Sequence, residues 1–184
     1  MRIRVDEIPE AGRTLRLQWE DSHLAPYVPE DDPFELELAR PIQVELEIRK
    51  LPDHVRILGA VKGRLGLSCH RCLSRFEWLL DEPVDVFLFP EEQAPREEET
   101  ELEVEELDYE FFDGEVIEID QLIAEQIFLA LPFKVLCGEG CRGLCPRCGV
   151  NLNEEPCRCA AGDPQSPFAA LLKIKERLPD VAGE

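Results

Sequence analysis

Eight cysteines constrain this 184-residue chain more than any other feature of it. Six lie within 23 residues, in CGEGCRGLCPRCG (137–149) and then Cys157-Arg-Cys159, and two sit far upstream in CHRC (69–72). That density, amid glycine and charge, is unlike a hydrophobic core. No apolar run of signal-peptide length opens the sequence and none is long enough to span a bilayer, so the expected location is the cytoplasm. In a reducing compartment eight thiols do not stay paired as disulfides, and metal ligation becomes the better reading.

Two cysteines separated by two residues can present both sulfurs to one ion from a single tight turn, with a following glycine freeing amides to donate to the thiolates. CPRCG, with Cys145, Cys148 and Gly149, meets this description fully. CHRCL departs from it because Leu73 stands where the glycine would be, and Cys157-Arg-Cys159 is the weakest pair on its own. Tetrahedral zinc takes four ligands. The shortest closure groups Cys145, Cys148, Cys157 and Cys159, leaving Cys69, Cys72, Cys137 and Cys141 for a second site. A single zinc on Cys145, Cys148 and two neighbouring cysteines is the rival arrangement. All-cysteine sites are structural, so Zn2+ is expected as a staple rather than a catalyst. A thioredoxin-like pair at Cys69 and Cys72 is the competing reading, but no βαβ pattern accompanies it. His70 could substitute as a ligand; His23 and His54 lie in expected loops.

Period-two alternation dominates the first half. Phe34, Leu36, Leu38, Ile42, Val44, Leu46 and Ile48 share one parity, while Glu35, Glu37, Glu45 and Glu47 take the other. This predicts strands with one buried and one wet face, interrupted at Pro41. A long strand through Val55–Cys69 and a third through Arg75–Pro90 extend it into an antiparallel meander, with CHRCL at their turn. Gly59, Gly63 and Gly66 suggest bulges or strong curvature. RIRVDEI and TLRLQW are further strands, and Asp21 to Asp32 reads as a loop. A helix is expected over about 120–131 with Asp120 as its N-cap, and another after Ser166-Pro167 through Leu178. The expected fold is α+β: a curved or barrel-like antiparallel sheet, two helices and a zinc-stabilised cysteine-rich lobe. Residues 1–134 would form the mainly β domain, and 135–184 the zinc lobe with a C-terminal helix packed on it.

The formal charge is −20, and nearly all of it lies before residue 134. Residues 91–106 alone hold nine glutamates and one arginine, as a solvated loop or edge strand. Such a surface repels phosphate and suits a basic protein partner, with residues 91–106 and the outward glutamates of 35–47 as docking candidates. Arg71, Arg142, Arg147 and Arg158 accompany the cysteines, where they would offset the negative charge of a thiolate-bound zinc or, on the alternative reading, contact RNA directly. No catalytic triad, phosphate-cradling loop or paired-carboxylate motif stands out, so no enzyme activity and no small-molecule substrate are expected.

CHRCL after a glycine-containing strand, IDQLIAEQIFLALPFKVLC, CRGLCPRCGVNLNEEPCRC and a closing PFAALLKIKERL together resemble the YceD-like family of large ribosomal RNA subunit accumulation proteins, from about residue 40 to 178. The resemblance implies a non-enzymatic factor supporting synthesis, processing or stability of 23S ribosomal RNA. Its expected partner is a basic ribosomal protein or a large-subunit assembly factor, with the RNA reached indirectly.

Overall fold

The computed structural model describes residues 1–93 and 109–159. The elements follow in chain order: β1 (Arg2–Arg4), β2 (Arg13–Trp19), α1 (Asp21–Leu24), β3 (Glu37–Leu38), β4 (Ile42–Lys50), β5 (Val55–Ser68), β6 (Arg75–Pro90), β7 (Tyr109–Phe112), β8 (Val116–Glu118) and α2 (Ile119–Ala130). The expected C-terminal helix, and residues 94–106 of the acidic stretch, lie outside the described residues.

The alternation read in the sequence becomes one face of a six-stranded sheet ordered β2-β4-β5-β6-β7, with β3 beside β5. Leu46, Ile48, Ile57, Val61, Leu65, Leu80, Val84, Val86 and Leu88 turn inward and are buried. They meet Leu122, Ile123 and Ile127 of α2 and Ile3 and Ile117 of the small β1–β8 pair in one core. Each such side chain contributes about 1.5–3 kcal/mol by leaving water, which is why the pattern dictates the face. Pro41 does part β3 from β4, and β4, β5 and β6 form the antiparallel meander.

The structure corrects several expectations. Among the described residues the sheet is not closed into a barrel, β2 and β7 being its two ends, and β7 joins β6 in parallel. The glycines of β5 make no bulge, since the register runs one to one with β6 from Val55 to Ser68 and with β4 from Val55 to Lys62. Gly59 admits instead a close approach, for an added Cβ would fall 1.9 Å from the Glu45 carbonyl oxygen. The expected loop after Asp21 begins with α1, which Glu20 and His23 close as a reciprocal cap and which buries Leu24. The N-cap of α2 is Glu118, not Asp120; the Asp120 carboxylate accepts a hydrogen bond from Trp19 Nε1 at 2.9 Å. Among the described residues no helix is long and apolar enough to cross a membrane.

Candidate metal centres

The turn between β5 and β6 carries Cys69 and Cys72, and the segment after α2 returns to clamp it. His70 N–H donates to the Val135 carbonyl at 2.9 Å, and Leu144 N–H donates to the Arg71 carbonyl at 3.1 Å. This docking brings Cys137 and Cys141 beside Cys69 and Cys72. The other four cysteines, Cys145, Cys148, Cys157 and Cys159, gather in a second set next to the first, and within each set the sulfurs all lie within 4.8 Å of one another. The eight thiols therefore divide in space along the lines of shortest ligand closure. His70 belongs to neither set; its ring packs against Phe34.

The two Cys-x-x-Cys turns have the same backbone hydrogen bonds. Cys69 N–H donates to Ser74 and Leu73 N–H to Cys69, at 3.0 and 2.9 Å; Cys145 N–H donates to Val150 and Gly149 N–H to Cys145, at 2.8 and 2.9 Å. Leu73 takes a φ of +58°, matching the +72° of Gly149. The leucine that weakened the first motif on paper thus adopts the left-handed conformation at a steric cost. Asn151 Nδ2 reaches from the second turn to Ser74 Oγ at 3.1 Å, and Asn153 Nδ2 points to Cys141 Sγ at 3.5 Å while its Oδ1 accepts from Arg142 N–H. These asparagines escaped the sequence reading because nothing in GVNLN marks one asparagine as a thiolate neighbour.

Four sulfurs held about 2.3 Å from one ion stand about 3.8 Å apart at the corners of a tetrahedron. Cys69–Cys141, Cys72–Cys137 and Cys148–Cys157 are separated by 3.7, 3.6 and 3.7 Å, and Cys145–Cys157 by 3.2 Å. No disulfide joins any of the eight. Burial raises the Cys69 thiol, but donation from the amides of Cys137, Arg71 and Cys72 outweighs it and brings the group down to about 6. The amides of Cys148 and Arg147 draw Cys145 down to about 6 as well. Cys137, crowded by the Cys72 and Cys141 thiols, and Cys159, crowded by Cys157 and Cys148, are each pushed up to about 12. Burial raises the Cys141 thiol too, but the Asn153 side-chain amide and the Gly143 N–H lower it overall. The first set thus favours two thiolates and the second one, each resisting more, the imbalance that a cation at its centre removes. Donor type, separation and amide support all fit a thiophilic tetrahedral ion.

The sets differ in exposure. Cys69, Cys72 and Cys141 are 0%, 4% and 5% exposed and pack with Phe76, Leu136 and Leu144. In the second set only Cys145 is buried, and Cys148 is exposed.

Among curated proteins the chain is similar to a chloroplastic protein of Arabidopsis thaliana named large ribosomal RNA subunit accumulation protein YCED homolog 1. The two are 27% identical over 164 residues, 78% of this chain and 51% of that protein. It is also similar to an uncharacterized protein of Mycobacterium tuberculosis, 29% identical over 119 residues that cover 62% of this chain and 53% of the relative. The chain spans about half the length of the curated relatives it matches. No solved structure matches it. The family model described as large ribosomal RNA subunit accumulation protein YceD matches residues 57–175, a span that takes in the central hairpin, α2 and all eight cysteines; this chain belongs to the YceD family.

Proposed function

We propose that this chain is a non-enzymatic factor of large ribosomal subunit biogenesis that supports accumulation of 23S ribosomal RNA through a basic protein partner. The observation that carries the reading is the family match over residues 57–175. Two Zn2+ ions, one on Cys69, Cys72, Cys137 and Cys141 and one on Cys145, Cys148, Cys157 and Cys159, would cross-link the post-α2 segment to the β5–β6 turn and neutralise the crowded thiolates. Their contribution would be structural, so that the cysteine-rich lobe and the sheet act as one scaffold.

Charge supports a cationic partner over naked RNA. Glu110, Asp113, Glu118 and Glu125 line a concavity of about 260 Å³ between β7, β8 and α2. The glutamates of 35–47, by contrast, are already engaged: Glu45 with Arg16 at 2.8 Å, Glu47 with Arg49 at 2.6 Å, and Glu35 and Glu37 with Arg75. They are weaker docking candidates than their spacing suggested. Direct RNA contact through the lobe remains the second reading, favoured by the outward placement of Arg71, Arg142 and Arg158.

Depletion of the protein from its host should lower the ratio of 23S to 16S ribosomal RNA several-fold, and wild-type chain should restore it. A ratio unchanged on depletion would sink the biogenesis role. Replacing Arg71, Arg142 and Arg158 together by glutamine should leave complementation intact; its loss at unchanged zinc content would favour the RNA-contacting reading.

A further inference from the structure

The parallel pairing of β6 and β7 sets Phe87 opposite Tyr109 and Phe89 opposite Phe111. Val86 and Leu88 go to the core, so Phe87 and Phe89 face outward; on β7, Phe112 packs on the core and Tyr109 and Phe111 remain 36% and 43% exposed. The result is an aromatic block on the outer face at the sheet edge. Ring centroids lie 4.6 Å apart for Phe89–Tyr109 and 6.1 Å for Phe87–Tyr109, and His54 stacks on Phe89 at 4.9 Å. Cross-strand contact accounts for the rings touching one another. It does not account for apolar rings left facing water at an edge that charged residues would ordinarily protect.

One guanidinium already rests on this surface. Arg56 Cζ lies 4.8 Å from the Phe87 ring centre while its nitrogens donate to Asp85 at 2.9 and 2.8 Å. Ring and carboxylate together make a seat that suits a planar cation. The local field has the same sign preference: Glu91 and Glu92 follow β6 directly, and the sequence linking β6 to β7 is rich in glutamate. Bases could stack on such rings, but their phosphates would meet this field unfavourably.

We propose that the outward block of Phe87, Phe89, Tyr109 and Phe111 is a docking surface for an arginine-rich segment of a partner protein, whose guanidinium groups stack on the exposed rings between neighbouring carboxylates. The proposal rests on the reading of a basic protein partner and gives that partner a place to bind.

The test uses the full zinc-loaded chain and a fluorescein-labelled peptide of six Arg-Gly repeats, with a twelve-nucleotide oligouridine RNA as the competing probe. Tyr109→Ala with Phe111→Ala removes two rings and no charge, and should weaken peptide binding roughly ten-fold. Tyr109→Phe with Phe111→Tyr keeps the aromatic face and should bind as wild type does. Tyr109→Ala alone, at an exposed strand end, should cost about three-fold and guards against a folding defect in the double variant. The advantage of wild type over the alanine variant should persist in about 0.5 M salt, where surface Coulomb attraction is largely screened. Equal peptide affinity for wild type and the alanine variants overturns the proposal. So does RNA that binds more tightly than the peptide and is lost in the same variants, which would assign the block to single-stranded nucleic acid. These binding results are separate from the ribosomal RNA ratio, so either reading can fail while the other stands.

Discussion

Leu73 is a residue in the wrong conformation for its type. Its φ of +58° costs an L-residue about 1–2 kcal/mol, and with its side chain 67% exposed the leucine recovers little by burial. Glycine relieves the strain but adds about 0.5–1 kcal/mol of unfolded-state entropy. Leu73→Gly should therefore raise stability by roughly 0.5–1 kcal/mol, read as a higher denaturant midpoint at unchanged zinc content; a lower midpoint would show that the leucine makes a contact worth more than its strain. Gly143 is the opposite case. Its φ is +74°, and an added Cβ would stand 3.0 Å from the Arg71 carbonyl oxygen, in the segment that clamps the first cysteine turn. Gly143→Ala should destabilise by about 1–2 kcal/mol on strain alone. The sequence marked Gly149 because glycine after Cys-x-x-Cys is a known solution to the turn. It could not mark Leu73, since the same turn was formed there against local preference by the hydrogen bonds of Cys69 with Ser74 and Leu73.

At the scale of elements, legibility followed the length of the pattern. β4, β5 and β6 were plain because nine to sixteen residues alternate with one dry face, and α2 was plain because Leu122, Ile123 and Ile127 recur at helical spacing. β7 was not, because Tyr109–Phe112 is four residues long and carries rings on both faces, so its alternation is between two kinds of partial exposure. α1 escaped because its cap is the uncommon pair of Glu20 and His23. β7 also brings Glu110 beside α2, and this has a pH consequence. Burial first, and the Glu125 charge second, raise the Glu110 pKa above its usual value. The charged form is thus disfavoured in the fold. Below the unfolded pKa, near 4.3, the group is protonated in both states and the penalty vanishes; it grows as pH rises through the unfolded value and is complete only above the raised folded value. Glu110→Gln should therefore melt higher than wild type at pH 7, and the gap should narrow as pH falls toward about 4. A gap independent of pH would assign the effect to packing instead.

For the whole molecule the two cysteine sets have unequal work. A metal on the first set would join residues 65 or more positions apart and so tie the post-α2 segment to the central hairpin; one on the second would close a loop of 15 residues. A cross-link across a long loop restricts the unfolded chain more than one across a short loop, and three of the first set's four sulfurs are also shielded from water. If each set holds one zinc, a colorimetric chelator in excess should release metal in two phases. The first should be about one equivalent from Cys145, Cys148, Cys157 and Cys159, where Cys148 is open to solvent, with no loss of the sheet signal in far-ultraviolet circular dichroism. The second equivalent should leave only as the β5–β6 turn opens, together with a fall in tertiary structure. Cys148→Ser should abolish the fast phase and retain a folded one-zinc protein. Cys72→Ser should cost several kcal/mol of stability, because metal-binding energy of about 10–16 kcal/mol per structural site is coupled to folding. Release of both ions in one phase, or equal destabilisation by the two serine variants, would mean that the sets open together and that the lobe and sheet form one cooperative unit rather than a hairpin staple with a looser ribbon beyond it.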